Sequence, residues 1–203
     1  MPTASRAGKR DTGMREKIID ACADIMLTEG YAAATSRRVA DDVGVQRALV
    51  YYYFPSMDDL YLAVLRRGTE ASLQSQRDAL TSDRPLHSLW DMTVDPRGAG
   101  LLLEFMALGN HRKEIRSELA AGAEKFREAQ VAALTFMLRN HSEATEIPSE
   151  VVSVLIAAIG RLIVLETAMG ITTGHDNTLK LVGEYLDKYE LAPPSRPDAA
   201  PDV

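Results

Sequence analysis

Cysteine is nearly absent: Cys22 stands alone among 203 residues, which excludes an internal disulfide framework and a cysteine-rich zinc site and fits a reducing compartment. Histidine is sparse too. His87, His111, His141 and His175 fall without metal-ligand spacing, and His141 with Glu143 reads as a surface loop, so neither a metal nor a catalytic residue is expected. No glycine-rich phosphate loop occurs, no cofactor is implied, and no useful stretch alternates apolar with polar residues, so no sheet is predicted. The longest apolar run, "VVSVLIAAIGRLIVL" at 151–165, falls short of the roughly 18–20 apolar residues that a bilayer requires and carries Arg161 inside it, so a helix buried in protein is expected. The opening "MPTASRAGKRDTG" has basic residues but no apolar stretch after them, unlike a signal peptide, and a cytoplasmic location is expected.

What remains is helix and charge. With 46% hydrophobic and 26% charged residues the chain can bury a sizeable core. The net charge of −6 argues against nucleic acid only until its distribution is read: residues 1–67 sum to +1 and the rest to −7. Arg6, Lys9, Arg10, Arg15 and Lys17 gather at the start, as a basic arm would, though solvated charges at a terminus give the same pattern.

Ile18, Ile19, Cys22, Ile25 and Met26 follow helical spacing up to Gly30 and predict a first helix. A second is predicted over 36–43 with Thr35 as N-cap, a third over 47–54 ended by Pro55, and a long fourth after the cap Ser56, with Met57, Leu60, Tyr61, Val64 and Leu65 on one face. Between the second and third lie only "GVQ", with Gly44 where a left-handed residue is needed and Ala40 four residues before it, small enough for two helices to cross closely. This pattern is a helix-turn-helix; its rival is an ordinary helical hairpin.

The run "VYYYFP" at 50–55 gathers four of the twelve aromatics of the chain. Successive helical residues are rotated by about 100°, so Val50 and Phe54 face inward, Tyr53 lies partly inward, and Tyr51 and Tyr52 face out, where rings and hydroxyls suit sugar edges, thymine methyls and phosphate oxygens.

"LTEGYAAATSRRVADDVGVQRALVYYYFPSMDDL", residues 27–60, resembles the DNA-binding domain of TetR-family transcriptional regulators. The resemblance implies an all-α protein: a three-helix DNA-binding domain at 1–55 with its helix-turn-helix at 36–54, then a helical effector-binding and dimerisation domain at 56–191. It also implies a homodimer on double-stranded DNA, at a palindromic operator. Carried across by position, Thr35 and Ser36 fall near phosphate, Arg37 near a base edge, and Gln46, Arg47, Ala48 and Leu49 at the start of the recognition helix, with Tyr51, Tyr52 and Tyr53 after them. Arg47 reads guanine or contacts phosphate. Tyr53 stands where histidine is usual, and Met57 where lysine often neutralises a phosphate.

Beyond residue 56, helices are predicted over 57–80, 85–94, 99–110, 112–140, 149–172 and 176–190, and the proline-rich tail 192–203 is expected to be disordered. The last two helices are the expected dimer contact, with Ala157, Ala158, Gly160 and Ala168 permitting close approach. Trp90, Met92, Phe105, Met106, Phe126, Phe136 and Met137 are candidates to line a pocket for a small hydrophobic effector, with His111 to orient its polar end; plain core packing and a solvated helix end are the rival readings. The expected function is a DNA-binding regulator, a repressor released by that effector. A helical lipid carrier or enzyme, and a constitutive DNA-binding protein, are the alternatives.

Overall fold

A computed structural model describes residues 4–139 and 147–190, with side chains from residue 13 onward. The side chains of Arg6, Lys9 and Arg10, the pair His141 and Glu143, and the tail 192–203 lie outside the described residues. All regular structure among the described residues is helical: α1 (Ala4–Glu29), a 3-10 turn (Tyr31–Ala33), α2 (Ser36–Val43), α3 (Arg47–Tyr53), α4 (Met57–Leu80), α5 (Pro85–Thr93), α6 (Pro96–Gly109), α7 (Lys113–Leu138), α8 (Ser149–Ala168) and α9 (His175–Tyr189). Helix α6 starts at Pro96 rather than 99, since a proline at the first helical position has no N–H bond to lose. Helix α8 stops at Ala168 rather than 172, because Gly170 turns left-handed at φ 81° and Ile171 N–H bonds back to the Glu166 carbonyl at 2.8 Å.

The chain divides into two compact units, Met1–Ser72 with Pro96–Phe126 and Leu73–Asp95 with Arg127–Val203. In the first, the α1 stripe of Ile18, Ile19, Cys22, Ile25 and Met26 is at most 2% exposed and meets Val39, Val50, Phe54, Leu60, Val64 and Phe105. Helix α6 is tied to the N-terminal helices at two points: Glu104 Oε2 accepts the Tyr31 N–H at 2.6 Å, and Arg97 pairs with Asp24 at 2.7 Å. Tyr61 is buried, its hydroxyl donates to the Ala34 carbonyl at 2.8 Å, and burial pushes its pKa up to about 12. That bond fixes the chain just before α2.

In the second unit Leu86, Leu89 and Trp90 of α5 pack with Leu134 and Met137 of α7 and Leu186 of α9. Glu190 satisfies the start of α5, accepting from Leu86 N–H at 2.9 Å and His87 N–H at 3.1 Å. Helix α8 departs from the expectation of a helix covered on several sides. Only Ser153, Ala157 and Gly160 are buried, while Val151, Val154, Leu155 and Leu162 are 45–54% exposed. Gly160 does admit a neighbour, but it is α5 of the same unit: a methyl there would overlap Thr93 Oγ1 and stand 2.9 Å from the Thr93 carbonyl oxygen. At 20 residues α8 is also longer than its apolar run, and by length and composition alone it could cross a membrane. The length argument against a span therefore fails; Arg161 and the contact with Thr93 remain against it.

Gly160→Ala should lower the stability of the second unit by about 1–3 kcal/mol through that overlap. Chemical denaturation with an unchanged midpoint would show that α5 and α8 are further apart.

Tyr61→Phe leaves the buried Ala34 carbonyl without its donor and should cost about 1–3 kcal/mol. A loss below about 0.5 kcal/mol, within the scatter of ordinary surface substitutions, would remove Tyr61 as the anchor of this segment.

Candidate nucleic-acid interface

The reversal between α2 and α3 is made by backbone. Gly44 sits at φ 74°, a conformation glycine adopts without strain, and its N–H and that of Val45 both return to the Ala40 carbonyl, the latter at 2.9 Å. At the other end of α2 the Thr35 hydroxyl accepts the Arg38 N–H at 3.2 Å, an N-cap as expected. Val39, Ala40, Val50 and Phe54 are each at most 3% exposed, so α3 lies against the rest of the unit by one face and leaves the other open.

On the open side Thr35, Arg37, Gln46, Arg47, Ala48, Tyr51 and Tyr52 are exposed, Leu49 and Tyr53 are half-buried, and Ser36 is buried. Tyr52 meets Tyr53 edge to face, ring centroids 5.1 Å apart.

The three arginines of α2 and α3 are held differently. Arg38 is locked, bonded to Glu29 at 2.6 Å and Asp42 at 3.2 Å, which raises its pKa further. Arg37 is 87% exposed, with a single long contact of 3.9 Å to Asp41. Arg47 is aimed: Nε donates to Ser36 Oγ at 2.8 Å and Nη2 to Tyr51 Oη at 3.0 Å, with the guanidinium 5.2 Å from the Tyr51 ring centroid. Ser36 in turn donates to Tyr51 at 3.1 Å, and that bond first, then the one from Arg47, holds the phenol below its ordinary pKa. One edge of the Arg47 fork is thus spent on positioning, and the Nη1 end remains for an incoming acceptor. Sequence reasoning placed Ser36 beside phosphate. Its buried hydroxyl instead orients Arg47.

Arg15, counted in the basic arm, is half-buried over the Phe54 ring at 5.1 Å and bonded to Glu16 at 3.2 Å, while Lys17 is exposed. Met57 is half-buried against the core of the unit. The first turn of α4 closes on itself, Ser56 N–H donating to Asp59 at 3.0 Å and Asp59 N–H to Ser56 Oγ at 3.1 Å, which is a capping box.

The effector candidates are divided between the two units. Trp90, Met92 and Met137 share the core of the second unit, whereas Phe136 is 57% exposed beside Arg139, whose guanidinium lies 4.0 Å from its centroid. In the first unit Phe105 is 1% exposed as ordinary core, Met106 is 51% exposed, Phe126 is half-buried and His111 is exposed. Helical period neither anticipated the exposure of Phe136 and Met106 nor told which core the buried candidates join. Cys22, raised to about 12 by burial, is an inert thiol.

Among the described residues no group of His, Cys, Asp and Glu side chains could hold a metal ion. Residues 18–64 match the sequence profile of the bacterial regulatory proteins of the tetR family. This segment contains the whole helix-turn-helix, and the likeness to that family is a likeness of the DNA-binding region. The HTH-type transcriptional activator FasR of Mycolicibacterium smegmatis is 35% identical over 66 residues, 32% of this chain and 30% of that protein, so the match spans less than a third of the relative's length. The fold extends further. A TetR transcription regulator from Haloarcula marismortui is similar over 89% of this chain and 100% of its own, with a TM-score of 0.71 at 23% identity. A transcriptional regulator from Saccharomonospora viridis in complex with choline is similar over 88% and 98%, with a TM-score of 0.72 at 15% identity.

Because Met57 packs inward and Asp58 and Asp59 stand beside it, Met57→Lys should lower thermal stability and leave the slope of log K against log salt for DNA unchanged. A slope steeper by about 0.9 per half-site would place residue 57 on a phosphate after all.

Proposed function

We propose that this chain is a sequence-specific transcriptional regulator that binds a palindromic operator as a homodimer and acts as a repressor, released by a small hydrophobic effector. The division of labour follows residues 1–55 for DNA and 56–191 for effector and dimer. The observation that carries DNA binding is Arg47, set on Ser36 and Tyr51 at the open face of a helix-turn-helix, with Arg37 exposed beside it. An arginine free in solvent loses side-chain entropy when it meets DNA; this one is already placed. Thr35 and Tyr51 supply hydroxyls for phosphate oxygens, Arg37 reaches a base edge, and Gln46, Ala48, Leu49 and Tyr52 complete the facing surface.

The dimer reading is supported by the exposed apolar residues of α8 together with Leu181 and Tyr185 of α9, 54% and 57% exposed. Of the four small residues expected at the dimer contact, Ala157 and Gly160 are buried within the unit while Ala158 and Ala168 are exposed. For the effector, Trp90, Met92 and Met137 give an apolar, adaptable lining in the second unit. A second reading, activation instead of repression, is favoured by FasR, an activator 35% identical to this chain over 66 residues.

DNA selected from a random pool supplies the operator. On it, Arg47→Ala should weaken binding by about 1–3 kcal/mol, roughly 5- to 150-fold. A loss confined to the cognate site makes Arg47 a base reader, an equal loss on random DNA makes it a phosphate contact, and no loss on either refutes its place at the interface. Leu162→Glu should convert a dimer into monomers in sedimentation and abolish binding to the paired half-sites; a wild-type monomer at micromolar concentration would overturn the dimer. A reporter behind the selected site, compared with and without the regulator, separates repression from activation.

A further inference from the structure

The second unit buries a polar chain where α7 meets the apolar α8. Gln130 of α7 and Ser153 of α8 are 1% and 0% exposed. Ser153 Oγ donates to Gln130 Oε1 at 2.5 Å and accepts from Arg127 Nη1 at 3.0 Å. Gln130 Nε2 then has no partner, although it is fully buried. Exchanging the amide nitrogen and oxygen would only move the vacancy to the oxygen, because the Ser153 hydroxyl meets one end of the amide. A buried polar group left unpaired costs as much as a hydrogen bond contributes.

Two arginines accompany it. Arg127 stands one helical turn before Gln130, and Arg161 stands two turns after Ser153 as the sole charged residue between Glu150 and Glu166. Among the described residues neither forms an ion pair. Arg161 is exposed as a residue, yet burial draws its guanidinium below the ordinary pKa and the charge of Arg127 draws it further in the same direction. Arg127, bonded to the buried serine, and Arg161, near enough to feel its charge, have no carboxylate partner among the described residues, and the Gln130 amide nitrogen has no partner; an oxyanion would serve the two cations and the amide alike.

Resting on the reading of effector control above, we propose that Arg127 and Arg161, with Gln130 and Ser153 behind them, receive the oxyanion head of an amphipathic effector whose apolar body lies on the core around Trp90. The ligand class is therefore a carboxylate or phosphate ester on an aliphatic chain, in place of a purely hydrophobic molecule. Arginine forks suit both heads, and bonds to a charged acceptor are stronger than those to a neutral one.

Trp90, the only tryptophan of the chain, serves as reporter because it shares a core with Met137 and with Ile156, the latter one turn from Ser153. The full-length protein is titrated with decanoate, decyl phosphate, 1-decanol, decyltrimethylammonium and inorganic phosphate, and release from the selected operator is measured separately. Decanoate or decyl phosphate should bind at least about tenfold more tightly than decanol, with the cationic amphiphile weaker still; which anion is preferred identifies the head. Arg161→Gln and Arg127→Gln should each erase the preference, and Arg127→Lys should restore part of it. Gln130→Leu should raise the melting temperature while weakening the anion.

Decanol matching the anions, inorganic phosphate binding as tightly as decyl phosphate, or no change in Trp90 with any ligand would each overturn the site. Release of DNA by decanol alone would do so while preserving effector control. A further overturning result is Arg161→Gln giving monomers with the preference intact, which would assign Arg161 to a carboxylate of a second copy.

Discussion

The first unit depends on the burial of one stripe of α1. Ile18, Ile19, Cys22, Ile25 and Met26 are all but inaccessible, and α2, α6 and the 3-10 turn all rest on that helix. Full burial of a side chain of this size is worth about 1.5–3 kcal/mol, so these residues together outweigh any surface ion pair in the unit. The consequence for function is positional. The candidate recognition residues on α3 can be polar, exposed and weakly bonded because Val50 and Phe54, behind them, are seated on that core. Cys22 takes its place in the stripe as a small apolar group, and its raised pKa is a result of the packing.

Most of this half was legible in the sequence because its signals are local. Thr35 caps α2, Gly44 turns left-handed, α3 stops within one residue of the expected end before Pro55, and Ser56 begins the first turn of α4; each of these follows from a few neighbouring residues. The faces of the tyrosine run followed from the helical angle alone. What stayed out of reach was the use of the polar atoms. Ser36, Arg47 and Tyr51 are separated by eleven and four positions, and nothing in their spacing says that a serine would be buried to hold an arginine. Arg37 and Arg38 are adjacent and chemically identical, yet Glu29 and Asp42 lock one while the other stays free.

The second half was legible as helices and not as surfaces. An apolar helix with small residues announces close packing, but the side on which the neighbour lies depends on which element returns to it. Here α5 took the face carrying Ala157 and Gly160, which left Val151, Val154, Leu155 and Leu162 uncovered. The same ambiguity attends the aromatic and methionine candidates. Inward-facing residues at helical period look alike whether they fill a core or line a cavity, and Phe105 and Trp90 belong to different cores.

Polar groups in such an apolar setting carry more information than the apolar ones, because each must be accounted for. An exposed leucine is unremarkable on any protein surface, whereas a buried amide with a missing partner has a definite cost. Gln130 could not be singled out in the sequence, since glutamine is ordinary in a helix and its burial depends on α8 lying over it. Arg161 could have been: a cation in the middle of an apolar helix was visible from the start and served only as an argument against a membrane span. Its position next to Arg127 turns the same observation toward chemistry. Two cations are stable side by side only while water or an anion screens them, so an apolar surface that covered Arg161 without supplying an oxyanion would be disfavoured. The charge therefore acts as a selectivity element on whatever occupies that part of α8, admitting partners that bring negative charge and penalising those that bring none.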